Sequence, residues 1–257
     1  NNVSLSVHGP YFVNLASDDN RKFYGSIKYI TDSILIGGIA GAESVTFHSG
    51  FYQDLSAKET YERVHKAFSK IYAEFEKKKF DGHPIREQKI AVAPELTGKP
   101  TQFGDLEELI SMANDYQEQN LRFCFDFAHK FARSNGKYNT YDEFMQMLDQ
   151  IADDAGEKYL ENLHIHISGI MYSEKGEKNH VTFLESLEMY KEMGIEIPEI
   201  EKEYQALVSK NKNGGSDFNW RDLLKALKTR NVGGWVVCES PILELDALLM
   251  QTVYNSF

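Results

Sequence analysis

Short apolar runs alternate with longer amphipathic segments along most of the chain. The runs are rich in Val, Ile and Phe, a composition typical of parallel strands that are buried on both faces. They lie at residues 4–8, 44–48, 90–95, 121–126, 163–166 and 235–239. Between them, apolar residues recur every three or four positions, as in the series Phe23, Ile27, Ile30 and Ile34. That spacing predicts amphipathic helices.

Alternation of strand and helix predicts an α/β fold with a parallel sheet. Polar residues at the strand ends favour a (β/α)8 TIM barrel over an open sheet. A closed barrel of this kind has eight strands, whereas the pattern predicts six and the sequence opens almost directly on one of them. We therefore expect about two N-terminal β/α units to be missing from this sequence. A single domain over 1–257 is predicted, with an insertion at 188–215.

Composition is ordinary for a globular protein, with 42% hydrophobic and 26% charged residues. No apolar stretch is long enough to cross a bilayer, and the scarcity of cysteine fits a reducing compartment. These features predict a cytoplasmic protein without a membrane partner, and we expect a monomer. The formal net charge of −11 argues only weakly against a polyanionic partner, because bound divalent cations would offset it locally.

The apolar runs end on residues that can bind a metal. Because parallel strands end at one edge of a sheet, these side chains are expected to meet in a polynuclear site. Imidazole and carboxylate together favour zinc, with manganese also possible. His164 shares a strand face with the ligand His166 but lies deeper, so we interpret it as a core or supporting residue. The predicted strand-end ligands are His8, His48, Glu95, Asp126, His129, His166 and Glu239.

Several motifs give the chain a resemblance to a known family. They are His-Gly-Pro-Tyr-Phe-Val-Asn-Leu-Ala at 8–16, Phe-His-Ser-Gly at 47–50, Pro-Glu-Leu-Thr-Gly at 94–98, Phe-Asp-Phe-Ala-His-Lys-Phe-Ala at 125–132, His-Ile-Ser at 166–168 and Glu-Ser-Pro at 239–241. With them the chain resembles the endonuclease IV family of abasic-site DNA repair enzymes, within the xylose-isomerase-like barrel superfamily. The resemblance covers nearly the whole sequence.

The resemblance implies a cluster of two to three zinc ions. His8 and His48 would hold the first ion, with Glu95 bridging to the second. Asp126, His166 and Glu239 would complete the second site. His129 and His180 would hold the third ion, and we place His180 in a loop. The family carries an Asp two positions before the last His, where this chain has Lys178. A protonated lysine cannot ligate a cation, so the third site would be weak, absent, or completed by Glu177 or Glu174.

The resemblance also implies a reaction and a partner. The reaction is hydrolysis of the DNA phosphodiester 5′ to an abasic site, in base excision repair, with Glu95, Asp126 and Glu239 as catalytic residues. The partner is double-stranded DNA, which would place the protein at the nucleoid when it acts. Tyr11 and Phe12 would enter the duplex at the lesion. Two alternatives remain open: a divalent-metal sugar isomerase or epimerase, and a catalytically impaired DNA-binding relative.

Overall fold

The chain forms two compact units. The computed structural model describes residues 3–80, 83–84, 90–197, 201–209 and 216–257. The first unit comprises Asn1–Thr97 and Thr101–Cys124, and the second comprises Gly98–Pro100 and Phe125–Phe257.

A three-stranded parallel sheet, ordered β1-β2-β6, organises the first unit. The strands are β1 (Leu5–His8), β2 (Ala42–Phe47), β3 (Gly50–Phe51), β4 (Lys79–Phe80), β5 (His83–Pro84), β6 (Ala91–Pro94) and β7 (Gln102–Phe103). In the register, Val7 pairs with Val45, and Phe47 pairs with Pro94. The short strands form two antiparallel pairs, β3 with β7 and β4 with β5. All three main strands therefore run in one direction and end at the same edge.

The helices of the first unit are α1 (Asn20–Ala40), α2 (Ala57–Lys77) and α3 (Leu106–Asp115). The Asp19 side chain caps α1 by accepting hydrogen bonds from the backbone N–H groups of Arg21 and Lys22. The helix ends at Gly41, whose φ of +82° is a left-handed conformation that glycine adopts without strain. The apolar series that begins at Phe23 is buried, as its spacing predicts.

A second three-stranded sheet, ordered β12-β9-β8, organises the second unit. Its strands are β8 (Cys124–Asp126), β9 (Leu163–Ile167) and β12 (Gly234–Cys238), and β10 (Gly169–Ser173) and β11 (Gly176–Val181) form an antiparallel hairpin. β9 and β12 pair in parallel. The helices are α4 (Phe127–Arg133), α5 (Tyr141–Asp154), α6 (Leu187–Glu192), α7 (Glu201–Ser209), α8 (Trp220–Thr229) and α9 (Glu244–Ser256).

All six predicted strands are present, although their bounds differ by a few residues from the apolar runs. The hairpin was not predicted, and the placement of His180 in a loop is wrong because the residue lies in β11. In the predicted insertion at 188–215, α6 and α7 include most of the described residues. Pro198 and residues 210–215 lie outside the described part of the chain. The single domain and the insertion stay predictions.

Candidate metal centre

Three potential ligands lie at the ends of the parallel strands in the first unit. His8 is the last residue of β1, and His48 and Glu95 directly follow β2 and β6. His8 Nε2 lies 2.9 Å from Glu95 Oε2, and His48 Nε2 lies 3.4 Å from the same oxygen. Glu95 is fully buried. We name these three residues the His8 group.

The His8 group has the chemistry and spacing of a cation site. The Gly9 carbonyl can only accept, so His8 Nδ1–H donates to it, at 2.7 Å. In the neutral imidazole, Nε2 then carries a lone pair, which faces the Glu95 carboxylate. Two such acceptors repel unless a cation or a proton lies between them. Atoms that bind one tetrahedral zinc ion lie roughly 3.3–3.6 Å apart, close to the separations observed here. A divalent cation therefore fits this group.

A second set of ligands lies in the second unit. Asp126 ends β8, His166 lies in β9 and Glu239 directly follows β12. Each offers one ligand atom, and these atoms lie within 4.8 Å of one another. His166 Nδ1 is 3.2 Å from Glu239 Oε1. We name these three residues the Glu239 group. The buried Asp126 also caps α4, where its Oδ1 accepts the His129 backbone N–H at 2.7 Å.

A third set, the His180 group, consists of His129, Glu177 and His180, also in the second unit. The Nε2 atoms of His129 and His180 lie 3.3 Å apart. The Glu177 carboxylate lies 3.6 Å from His129 Nε2 and 3.7 Å from His180 Nε2. His180 Nδ1–H donates to the Glu239 carbonyl at 3.0 Å, which leaves its Nε2 as a lone-pair donor in the neutral ring. This group therefore also has the donor set of a zinc site.

A β-bulge explains how Glu177 and His180 face the same side of β11. Residues three apart in a regular strand point to opposite faces. In the hairpin, however, Met171 pairs with Asn179 and Tyr172 pairs with Glu177, so Lys178 is one extra residue. The extra residue reverses the alternation between Glu177 and His180. Lys178 itself is exposed.

Gly98 leaves the space that the His180 group occupies. A Cβ atom at this position would lie 2.6 Å from Glu177 Cβ and 2.8 Å from His129 Cδ2. The Glu177 backbone N–H donates to the Gly98 carbonyl at 2.9 Å. The sequence reasoning did not assign a function to Gly98. The signal available was its place in the segment that follows Glu95, where close backbone approach is one reason for glycine.

The two aromatic residues proposed to enter DNA are both exposed, Tyr11 at 73% and Phe12 at 68%. The Tyr11 ring stacks on the His8 ring at a centroid distance of 5.0 Å. The Phe12 ring meets the Tyr29 ring edge-on, also at 5.0 Å. Large aromatic surface is therefore presented beside the His8 group.

Three further titratable residues lie near these groups. His164 is buried, with its ring 4.9 Å from that of His166 and 5.9 Å from that of Trp235. Burial raises the pKa of the Cys238 thiol to about 12, so this neighbour of Glu239 is a neutral thiol at pH 7. Sequence reasoning missed Asp246, a buried carboxyl in α9 that hydrogen-bonds to Ser240.

Residues 1–248 match the family model described as "Xylose isomerase-like TIM barrel". An uncharacterized protein of Methanocaldococcus jannaschii is 32% identical over 253 residues, which cover 98% of this chain and 77% of that protein. The chain belongs to the xylose isomerase-like TIM barrel family, and its fold class is the predicted α/β TIM barrel.

One more distant relative and one solved structure carry names of activities. A Mycoplasma pneumoniae protein named "Probable endonuclease 4" is 24% identical over 166 residues, which are 64% of this chain and 53% of that protein. The crystal structure of a D-tagatose 3-epimerase-like protein aligns with a TM-score of 0.64 at 18% identity, over 99% of this chain and 77% of that one. At this identity, the structural likeness shows the fold alone.

An α-helix needs roughly 20 predominantly apolar residues to span a bilayer. None in the described part of the chain is long and apolar enough to do so.

Proposed function

We propose that the protein is a divalent-metal-dependent phosphodiesterase that hydrolyses DNA on the 5′ side of abasic sites. The observation that supports this most strongly is the number of ligand sets: the His8 group in the first unit, and the Glu239 and His180 groups in the second. A sugar isomerase or epimerase needs one or two cations. A third set of ligands therefore favours the phosphodiesterase.

The ligand types support zinc, with manganese as the second choice. A divalent cation bound at these groups would supply Lewis acidity for the attack of water on phosphorus. The protein supplies the positioning. Hydrogen bonds from His8 Nδ1 and His180 Nδ1 to backbone carbonyls fix each ring and direct its Nε2 toward a carboxylate. Catalysis then depends on rigidly held charges and oriented donors.

The third set supports the proposal despite the loss of the family's carboxylate at position 178. Glu177 supplies a carboxylate from the preceding position, and the bulge at Lys178 turns it to the side of His180. A protonated lysine cannot ligate a cation because it has no lone pair. The chain thus retains three ligands in the His180 group with a different residue in the carboxylate role.

Tyr11 and Phe12 support double-stranded DNA as the partner. An exposed apolar ring beside a ligand group suits a wedge that unstacks a base step. Unstacking costs least where a base is already missing, which would make the abasic site the preferred target.

The experiment is a cleavage assay on a duplex with one abasic-site analogue, beside an intact duplex of the same sequence. We expect cleavage 5′ to the lesion only, its loss with a chelator and its return with zinc or manganese. Glu95→Gln should lower the rate more than about 100-fold, because a metal ligand matters at least as much as its supporting residues. The exposed Glu62→Gln is the matched control. Equal cleavage of the abasic and the intact duplex would reject the proposal. Epimerisation of a ketose by the same preparation, without DNA cleavage, would also reject it.

A further inference from the structure

One buried carboxylate, Asp246, connects three separate segments of the second unit. It lies in the first turn of α9 and is fully buried. Its Oδ1 accepts a hydrogen bond from the Tyr190 hydroxyl, and its Oδ2 accepts one from the Ser240 hydroxyl. Its Oδ2 also accepts the Phe183 backbone N–H at 3.1 Å. Three donors at one buried carboxylate satisfy its need for hydrogen bonds away from water.

Two of these three donors belong to segments that carry candidate ligands. Ser240 directly follows Glu239, and Phe183 lies three residues after His180. The same two segments are joined a second time, by the hydrogen bond from His180 Nδ1 to the Glu239 carbonyl. The third donor, Tyr190, lies in α6 and is distant in sequence from any candidate ligand.

We propose that Asp246 is a positioning residue of the metal centre, which through Ser240 and Phe183 holds the backbone that presents Glu239 and His180. The inference rests on the proposed metal-dependent function. A carboxylate suits this role because both its oxygens accept, whereas the amide nitrogen of an asparagine would face a donor. The Phe183 backbone N–H and the Ser240 hydroxyl both donate to Oδ2, so an asparagine would keep its oxygen there and turn its amide nitrogen toward the Tyr190 hydroxyl, which could then no longer donate to this side chain.

Two matched hydroxyl deletions separate positioning from general support of the fold. Ser240→Ala and Tyr190→Phe each remove one hydrogen bond to the same carboxylate, and each also removes one acceptor of a backbone N–H, that of Ile242 and that of Leu184 respectively. Only Ser240 is adjacent to a candidate ligand. If Asp246 only supported the fold, both changes would lower the stability of the protein by similar amounts. The zinc affinities of the two variants would then not differ.

The test measures zinc affinity by competition with a chromophoric chelator, on the full chain, together with thermal unfolding in EDTA. We expect Ser240→Ala and Asp246→Ala to weaken zinc binding about 10–100-fold, the usual effect of losing a residue that supports a ligand. Tyr190→Phe should lower the melting temperature and change zinc affinity less than about threefold, well below that range.

Three outcomes would overturn the inference. Unchanged zinc affinity in Ser240→Ala would show that the hydrogen bond to Asp246 does not position Glu239. Equal weakening by Tyr190→Phe would show a general effect on the fold. Failure of the unmodified protein to bind zinc or manganese at all would reject the proposed metal-dependent function, and the positioning role with it.

Discussion

Glu177 lies next to Lys178, the position at which this chain departs from the pattern that it resembles. Its carboxylate oxygens lie 3.6 and 3.7 Å from the Nε2 atoms of His129 and His180. Glu174, the other acidic residue of the hairpin considered from the sequence, is exposed. The geometry therefore favours Glu177 as the third ligand.

Replacement of Glu177 tests this assignment by metal content. We expect Glu177→Gln to reduce the number of tightly bound ions by one, because an amide oxygen carries no formal charge and is a weaker ligand for zinc. Glu174→Gln, which removes the same charge from the same hairpin, should leave the number unchanged. Elemental analysis after dialysis measures both. Equal losses in the two variants would indicate a general charge effect instead of ligation.

Phe12 makes a separate prediction about DNA binding. Phe12→Ala should weaken binding to an abasic duplex by about 1–3 kcal/mol, the usual value of an aromatic stacking contact with a base. Binding to an intact duplex should change less, because the ring enters only where a base is missing. The matched control is Ile36→Ala, an equally exposed apolar residue of α1. Fluorescence anisotropy with both duplexes measures the difference, and equal losses would mean that Phe12 only packs on Tyr29.

At the scale of elements, a strand such as β2 was predictable from sequence because its burial leaves a continuous apolar run, whereas β1 and β12, also predicted as buried strands, are partly exposed. Residues 44–48 illustrate this, since the run ends on His48 and the strand ends at Phe47. The hairpin was not predictable in the same way. β11 contains Glu177, Lys178, Asn179 and His180, and such a polar sequence reads as a loop. Its pairing with β10, including the bulge, is decided by tertiary contacts.

Gly98 offers a test of how closely the backbone approaches the side chains of the His180 group. Gly98→Ala would place a methyl group 2.6 Å from Glu177 Cβ and 2.8 Å from His129 Cδ2, so one of them must move. We expect loss of the third ion and a loss of stability of roughly 1–3 kcal/mol, as for other overpacked sites.

The control for Gly98→Ala is Gly25→Ala in α1. An added Cβ there meets nothing within 4 Å, so the change should stabilise the helix slightly. Denaturant titration and metal analysis of the two variants give the comparison. Normal metal content in Gly98→Ala would show that the His180 group has room to adjust.

At the scale of the whole molecule, Asp246 makes stability depend on pH. Burial raises the pKa of this carboxyl to about 6, from 3.8 for an ordinary aspartate, against the opposing effect of its hydrogen bonds. The folded protein then binds the proton more tightly than the unfolded chain does. The contribution to stability is therefore complete below about pH 4 and is lost as pH rises through 6, by at most about 3 kcal/mol at about 1.4 kcal/mol per unit.

Comparison with Asp246→Asn isolates this contribution, since the amide does not titrate. The free energy of unfolding of the unmodified protein, minus that of the variant, should decrease between pH 4 and pH 7 when both are measured in EDTA. The exposed Asp153→Asn provides the control for the loss of a carboxylate in itself. A difference that increases with pH would mean that the hydrogen bonds from Tyr190, Ser240 and Phe183 outweigh desolvation. The charged carboxylate would then be the form that the folded protein prefers.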